Sequence, residues 1–136
     1  MSQKASIALI GRYYAAFNAG DHDGMLACLS ENVLHDSNQG LREAGKQAFR
    51  TFLKRQDLSY VEYLSDIVIM ASRDGRRASA EFIVNGEYRV QLSGLPPARG
   101  QEYELPAASH FTVDGGLISR VSVYYSVADW LIQVAD

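Results

Sequence analysis

The chain has little of several residue types that define common classes of site. Its 136 residues include one cysteine, Cys28, which excludes an internal disulfide and a zinc site built on cysteines. The three histidines lack the HExxH-like spacing of metal-binding helices, and no metal or other cofactor is expected. The longest run without Asp, Glu, Lys or Arg is nine residues, about half of what a membrane-spanning helix needs.

An excess of positive charge is also missing. The 13 basic and 16 acidic residues give a net charge of −3, whereas a nucleic-acid surface normally needs a basic stripe. The first residues show no apolar segment followed by a small-residue cleavage site, so no export signal is visible. We therefore expect a cytoplasmic protein with neither nucleic acid nor membrane as a partner.

The first part of the chain has the apolar spacing of helices. Three helices are predicted, over residues 5–18, 23–30 and 44–56, with a strand over residues 32–38 after the second helix. Gly20 suits the C-terminal cap of the first helix, and Asp21 suits the N-cap of the second.

From residue 58 onward the apolar period changes to two. Residues 58–72 and 76–91 flank Asp74-Gly75, a strong hairpin signal, and two further strands are predicted over residues 101–113 and 117–126. The segment "VADWLIQV" then predicts a short closing helix. Helices followed by antiparallel strands predict one α+β domain over residues 1–136, with helices packed on one face of a curved sheet.

The segment "RYYAAFNAGDHDGMLACLSENV", residues 12–33, resembles the opening of bacterial ketosteroid isomerases. More broadly, the chain resembles the nuclear transport factor 2-like superfamily, which includes SnoaL-type polyketide cyclases and limonene epoxide hydrolase. The segments "HDSNQG", "LPPARGQ" and "VYYSVADW" are similar to those of a ketosteroid isomerase-related group. The resemblance implies a cone-shaped, strongly bent, mostly antiparallel sheet closed by three helices around a deep apolar pocket. This fold hosts many functions, so the site must decide the activity.

The resemblance also implies a general base and two hydrogen-bond donors to an enolate oxygen. The donor tyrosine matches Tyr13 in "GRYYAAFNAGD", although a plain core tyrosine is the alternative. The second donor matches Ser109, which strand alternation places on an apolar face. Because a serine is a weaker donor than a neutral carboxylic acid, and losing one such donor costs about 10²–10³ in rate, this departure counts against efficient steroid isomerisation.

The position of the base has two alternatives. A gapless match aligns it with Ser37, points His35 inward with it, and makes His35 the candidate base. Deleting one residue instead makes Asp36 the base, with a raised pKa in an apolar pocket and Asn38 beside it. A slip of one residue reverses every side chain on a strand; the "HD" resemblance favours Asp36. A third interpretation has Asp36 or Asn38 capping the following turn.

The predicted function is proton transfer, an isomerisation or related enolate chemistry on a small apolar ketone or polycyclic substrate, without a cofactor. The alternatives are a non-catalytic binder of a small hydrophobic ligand and a dimerisation platform. A homodimer is expected through the outer sheet face, which carries Ile83 and Tyr124. Trp130 is expected either to close the mouth of the pocket or to anchor the C-terminus. The predicted substrate-binding residues are Phe17, Ser37, Asn38, Phe49, Phe52, Leu53, Tyr60, Phe82, Val84, Tyr88, Phe111, Val123, Tyr125 and Trp130.

Overall fold

A computed structural model describes residues 2–38 and 40–135. These residues form four helices and a six-stranded mixed sheet, which confirms the predicted α+β class. In chain order the elements are α1 (Gln3–Ala19), α2 (His22–Ala27), β1 (Leu29–Asp36), β2 (Glu43–Ala44), α3 (Lys46–Ser59), β3 (Tyr60–Ala71), β4 (Arg77–Tyr88), β5 (Gln101–Asp114), β6 (Leu117–Tyr125) and α4 (Val127–Val134).

The strands lie in the order β2-β1-β6-β5-β4-β3. All neighbouring pairs are antiparallel except β1 and β6, which run parallel and place His35 opposite Val121. The long connection that a parallel pair requires contains most of the chain here. Thus β1, which carries the candidate bases, lies between β2 and β6, the last strand in the chain.

The junction between the first two helices follows the predicted caps. Gly20 closes α1 in the left-handed region at φ 68°, where glycine has no steric penalty. The Asp21 side chain accepts a hydrogen bond from the Gly24 N–H at 2.9 Å and so caps α2. Both cap predictions are confirmed.

Several predicted element ends are wrong. Residues 58–59 continue α3 instead of opening a strand, and β1 begins at Leu29, inside the segment predicted as the second helix. Strand β4 ends at Tyr88 because the next two N–H groups, those of Arg89 and Val90, donate to the Ser59 carbonyl at the end of α3. Those donors are therefore unavailable to the sheet ladder.

Strand β3 contains a one-residue bulge that the sequence pattern did not reveal. Its register against β4 shifts between Ser65 and Val68, and Asp66 has a φ of 53°. Leu64 lies on the buried face before the bulge, whereas Ile67 and Ile69 pack against the core after it. The bulge thereby keeps the apolar side chains beyond it, those of Ile67 and Ile69, against the core.

The alternation predicted for β4 is confirmed, since Ala78, Ala80, Phe82, Val84 and Tyr88 are all buried. Helices α1 and α3 contact this sheet from the side that these residues face, and α4 packs against β5. In the ranges that the structure describes, no helix is long and apolar enough to cross a membrane.

Candidate functional site

A cavity of about 140 Å³ lies between the helices and the buried face of the sheet. Apolar side chains form most of its wall, and a cavity of roughly this volume in another protein holds one benzene ring. The predicted site residues that line it are Tyr13, Phe17, His35, Ser37, Asn38, Phe49, Phe52, Leu53, Tyr60, Phe82, Val84, Ser109, Val123, Tyr125 and Trp130.

The His35 side chain lies inside the cavity wall. It is 4% exposed, and its ring centroid is 4.5 Å from those of Phe49 and Phe52 on α3. Its Nδ1 has no hydrogen-bond partner among the described residues. Burial lowers the pKa of His35, and the nearby Glu43 and Asp36 charges offset part of this effect. The imidazole is therefore neutral at neutral pH and able to accept a proton.

Asp36 points to the opposite face of β1, so its predicted inward position and raised pKa are wrong. Its carboxylate accepts two hydrogen bonds from Arg42, at 2.7 and 2.9 Å, and a third from the Ser122 hydroxyl at 2.6 Å. The Arg42 hydrogen bond is the largest influence that lowers the pKa of Asp36, to about 2. A base this weak and already paired has little capacity to remove a proton from carbon.

The residues just after β1 also face the cavity. Both Ser37 and Asn38 line it, and the Asn38 side-chain amide donates to the Tyr125 carbonyl at 2.7 Å. This bond attaches the end of β1 to the end of β6. Asn38 thus bridges two strands and does not cap its own turn through this amide.

Tyr13 and Ser109 supply two hydroxyl groups to the cavity wall. Tyr13 packs edge-on against Tyr14 and Phe111, with ring centroids 5.1 and 5.8 Å away. Burial raises the pKa of Tyr13, so its hydroxyl stays protonated and available as a donor. Ser109 is 1% exposed, and its Oγ has no hydrogen-bond partner among the described residues.

Tyr14 lies beside this pair without lining the cavity. Its hydroxyl also has no partner of hydrogen-bond geometry in the part of the chain described. Burial raises the pKa of Tyr14, and the nearby Ser109 hydroxyl offsets part of that rise. The two hydroxyls therefore lie close enough to interact, although neither makes a bond of full hydrogen-bond geometry.

The prediction that Tyr88 and Phe111 line the cavity is wrong, because other rings cover both side chains. Both have 0% exposure on the predicted face of the sheet. Tyr88 stacks against Tyr60 and donates its hydroxyl to the Pro96 carbonyl at 2.8 Å, and Phe111 packs behind Tyr13. Trp130 packs edge-on against Tyr88, 5.1 Å away, so it anchors α4 while also forming part of the wall.

The sequence reading missed an acidic side chain in the wall, Glu62. It lies on β3 between Tyr60 and Leu64, two inward residues, and this alternation was the available signal. The Tyr103 hydroxyl donates to the Glu62 carboxylate, and burial raises the pKa of Glu62. The other lining residues that the substrate-binding prediction omitted are Met25, Gln56, Leu64, Tyr103, Leu105 and Ala107.

A small, mostly apolar cavity with a few inward polar groups, enclosed by helices and a sheet, defines a small-molecule-binding α+β protein. Residues 10–121 match the SnoaL-like domain, and the chain belongs to this family.

Solved structures agree with this membership. A protein from Pseudomonas putida, described as a "putative polyketide cyclase", is 50% identical, with 96% of this chain and 98% of that chain covered and a TM-score of 0.93. A protein of the same description from a Silicibacter species is 48% identical, with 100% and 99% covered and a TM-score of 0.96.

A more distant structure shows the fold alone. A nuclear transport factor 2-like protein from Burkholderia xenovorans is 14% identical, with 99% of each chain covered and a TM-score of 0.79. The resemblance to the nuclear transport factor 2-like superfamily is thereby confirmed. None of the curated proteins compared with the chain matches it.

Proposed function

We propose that the protein is a proton-transfer enzyme that converts small cyclic ketones through an enolate, with His35 as the base. The observation that supports this most directly is a neutral, buried imidazole in the same apolar cavity as a protonated phenol, that of Tyr13. A general base must be unprotonated to accept a proton, and the lowered pKa of His35 keeps its imidazole in that form at neutral pH.

In the proposed reaction, the His35 imidazole removes a proton from the carbon next to the substrate carbonyl. The electrons of the broken C–H bond form the enolate, whose oxygen accepts hydrogen bonds from Tyr13 and Ser109. Return of the proton from His35 to a different carbon completes an isomerisation. Attack of the enolate carbon on a second carbonyl of the same molecule completes a cyclisation, and His35 then protonates the new alkoxide.

Unpaired polar atoms support a ligand in this cavity. Four buried side-chain atoms lack a hydrogen-bond partner among the described residues, and three belong to lining residues, namely His35, Tyr60 and Ser109. An unsatisfied buried polar group costs about 1–3 kcal/mol. A bound ketone or hydroxyl group would offer partners of the kind that these atoms lack.

The volume of the cavity favours the smaller of the predicted substrate classes. At about 140 Å³, it suits one or two rings better than the four fused rings of a steroid. Ring closure is also the activity that the description "putative polyketide cyclase" of the two similar proteins names. We therefore favour a small cyclising or isomerising activity over steroid isomerisation.

Deuterium exchange tests the proposal without knowledge of the natural substrate. The bicyclic ketone 2-tetralone is incubated in D₂O, and proton NMR follows loss of the signal next to its carbonyl. We expect the wild type to exchange deuterium faster than an equal concentration of free imidazole does. The exchange rate should fall to the imidazole level in His35→Gln and decrease by about 10²-fold in Tyr13→Phe. The matched control is His110→Gln, an exposed histidine outside the cavity.

Wild-type exchange no faster than free imidazole, or equal rates in wild type and His35→Gln, would contradict the proposal. A parallel assay with 5-androstene-3,17-dione reports steroid isomerisation as a rise in conjugated-enone absorbance. We expect little or no rise, given the cavity volume.

A non-catalytic binder is the alternative function. The unbonded Nδ1 of His35 favours it, because catalytic histidines usually have a group that orients the ring. Thermal stabilisation by 2-tetralone without deuterium exchange would support this alternative.

We also propose that two copies pair through the outer face of the sheet. Tyr63 and Tyr124 on this face are 57% and 52% exposed, and Val61 and Met70 add further exposed apolar area. Several large exposed apolar side chains on one face of a sheet favour an interface there. Sedimentation of the wild type and of Tyr124→Lys tests this, with a shift toward monomer expected in the variant.

A further inference from the structure

One row of residues crosses three strands beside the cavity. Glu62 on β3 is the register partner of Gly86 on β4, and Gly86 is the register partner of Tyr103 on β5. Side chains in such a row point to the same face of the sheet. Glu62 and Tyr103, at the two ends of the row, both line the cavity.

Gly86 allows the two ends to meet. A Cβ atom at this position would lie 2.2 Å from Tyr103 Cζ and 2.5 Å from its hydroxyl oxygen, so the tyrosine ring occupies the space of the missing side chain. The Tyr103 side chain therefore lies across β4 and donates its hydrogen bond to Glu62 Oε2. This hydrogen bond from Tyr103 fixes the orientation of the Glu62 side chain.

The carboxyl group of Glu62 has unused bonding capacity. None of the ion pairs formed by the described residues includes it. A carboxylate offers about four acceptor sites, and the Tyr103 hydroxyl occupies one of them. The Glu62 charge helps to raise the pKa of the neighbouring Tyr60, whose hydroxyl has no hydrogen-bond partner among the described residues. The remaining acceptor sites of this partly exposed carboxyl are open to water or to a ligand.

Glu62 also lies on the boundary between the cavity and the surface. A second depression, between the end of α1 and α3, is lined in part by Asn18, His22 and Asp57. This depression shares Phe17, Met25, Leu53, Tyr60 and Glu62 with the cavity wall. A molecule that enters by this route would contact the Glu62 carboxyl.

We propose that Glu62 determines the specificity of the cavity by hydrogen bonding to a hydroxyl group on the ring of the ligand. The inference rests on the proposed function, because it names the substrate class of the same cavity, a hydroxylated cyclic ketone. Tyr103 is the positioning residue, and Tyr60 supplies a second polar contact to the same hydroxyl.

A hydroxyl suits this position better than an ammonium group. Burial raises the pKa of Glu62, so the neutral form gains population. A hydroxyl can donate to the ionised form and accept from the neutral form, whereas an ammonium group can only donate. An ammonium group would also lose its hydration on entering a mostly apolar cavity.

The test compares three naphthalene probes that cannot undergo the proposed reaction: 2-naphthol, 2-methoxynaphthalene and 2-naphthylmethylamine. Calorimetry measures their affinity for the wild type, Glu62→Leu, Glu62→Gln and Tyr103→Phe. We expect the wild type to prefer the naphthol over its methyl ether by about tenfold, the equivalent of one hydrogen bond. The preference should vanish in Glu62→Leu and decrease in Glu62→Gln. It should decrease less in Tyr103→Phe, where Glu62 keeps its carboxyl but loses the hydrogen bond that positions it.

Equal preferences in the wild type and Glu62→Gln would overturn the inference even if Glu62→Leu does not fold. Tighter binding of the amine than of the naphthol, lost on Glu62 substitution, would overturn the hydroxyl assignment. Because these probes report binding alone, a naphthol preference without exchange of 2-tetralone would reject the proposed reaction and retain Glu62 as the specificity residue. Exchange of 2-tetralone without a naphthol preference would retain the proposed reaction and reject Glu62 as the specificity residue.

Discussion

His35 and Asp36 are adjacent in the chain and lie on opposite faces of β1. The imidazole is buried in the cavity against Phe49 and Phe52, while the carboxylate is paired with Arg42 outside it. The pairing of β1 with β6 fixes this orientation, since His35 lies opposite Val121 and Asp36 opposite Ser122. The side chain suited to accept a proton and the one fixed in an ion pair are thereby separated by the sheet.

The burial of His35 predicts a stability that falls on acidification. Its pKa is lowered from 6.5 in the folded protein, so the unfolded chain binds the proton more readily. The free energy of unfolding should therefore decrease as pH falls below about 6.5, by about 1.4 kcal/mol for each unit by which the pKa is lowered. Urea unfolding at about pH 7.5 and about pH 5.5 measures it.

The His35→Gln variant should lack this part of the pH dependence, and His110→Gln should retain it. Glu62, whose pKa is raised, changes stability in the opposite direction, but it is present in all three proteins and cancels in the comparison. A pH dependence that is the same in wild type and His35→Gln would be inconsistent with a buried neutral histidine.

Because Asp36 is held in an ion pair, we expect its substitution to lower the stability of the protein and to leave the exchange activity nearly unchanged. Asp36→Asn should lower the free energy of unfolding at neutral pH by about 1 kcal/mol, because solvent screens a partly exposed pair. This contribution is fully present above pH 3.8 and is lost as pH falls toward the folded pKa of about 2. Exchange of 2-tetralone should stay within about twofold of wild type. A large loss of exchange in a folded Asp36→Asn would reinstate this residue as the base.

Because Gly86 and Tyr103 are in contact, we expect Gly86→Ala to change stability in opposite directions in the wild type and in a Tyr103→Ala background. Gly86→Ala should destabilise the wild type by about 1–3 kcal/mol, because the new methyl group overlaps the tyrosine ring. In a Tyr103→Ala background the space is free, and the same change should stabilise by about 0.5–1 kcal/mol, as alanine in place of glycine does within a strand. A double-mutant cycle by urea unfolding measures the coupling, and additive effects would argue against the contact.

Asn18 predicts local protection of the edge strand. Its side chain accepts from the Leu64 N–H at 2.9 Å and donates to the Leu64 carbonyl at 3.0 Å. Asn18→Ala should cost about 1–3 kcal/mol and accelerate hydrogen exchange of the Leu64 amide. Gln3→Ala, which removes a single bond to the other end of β3, serves as the control and should leave Leu64 unchanged.

Much of the fold could be predicted from local pattern. The caps at Gly20 and Asp21, the hairpin at Asp74-Gly75 and the alternation of β4 depend on residues close in the chain. The resemblance placed Tyr13 and Ser109, and both line the cavity.

The rest depends on contacts between distant segments. The inward position of His35 follows from pairing with β6, and both faces of β1 carry polar side chains, so periodicity could not decide between His35 and Asp36. The bulge at Asp66 and the crossing of Tyr103 over Gly86 likewise need the register of three strands. Glu62 was missed for this reason, although its alternation with Tyr60 and Leu64 was visible.

The parallel pairing of β1 with β6 has a consequence for how the protein is made. Strand β1, which carries His35, cannot pair with β6 until β6 has been synthesised. The cavity therefore forms through contacts of high sequence separation, which are slow to form. A nascent chain on the ribosome can build the β3–β4 hairpin early, since its partners are close in sequence. The cavity is therefore complete only once β6 has been synthesised and has paired with β1.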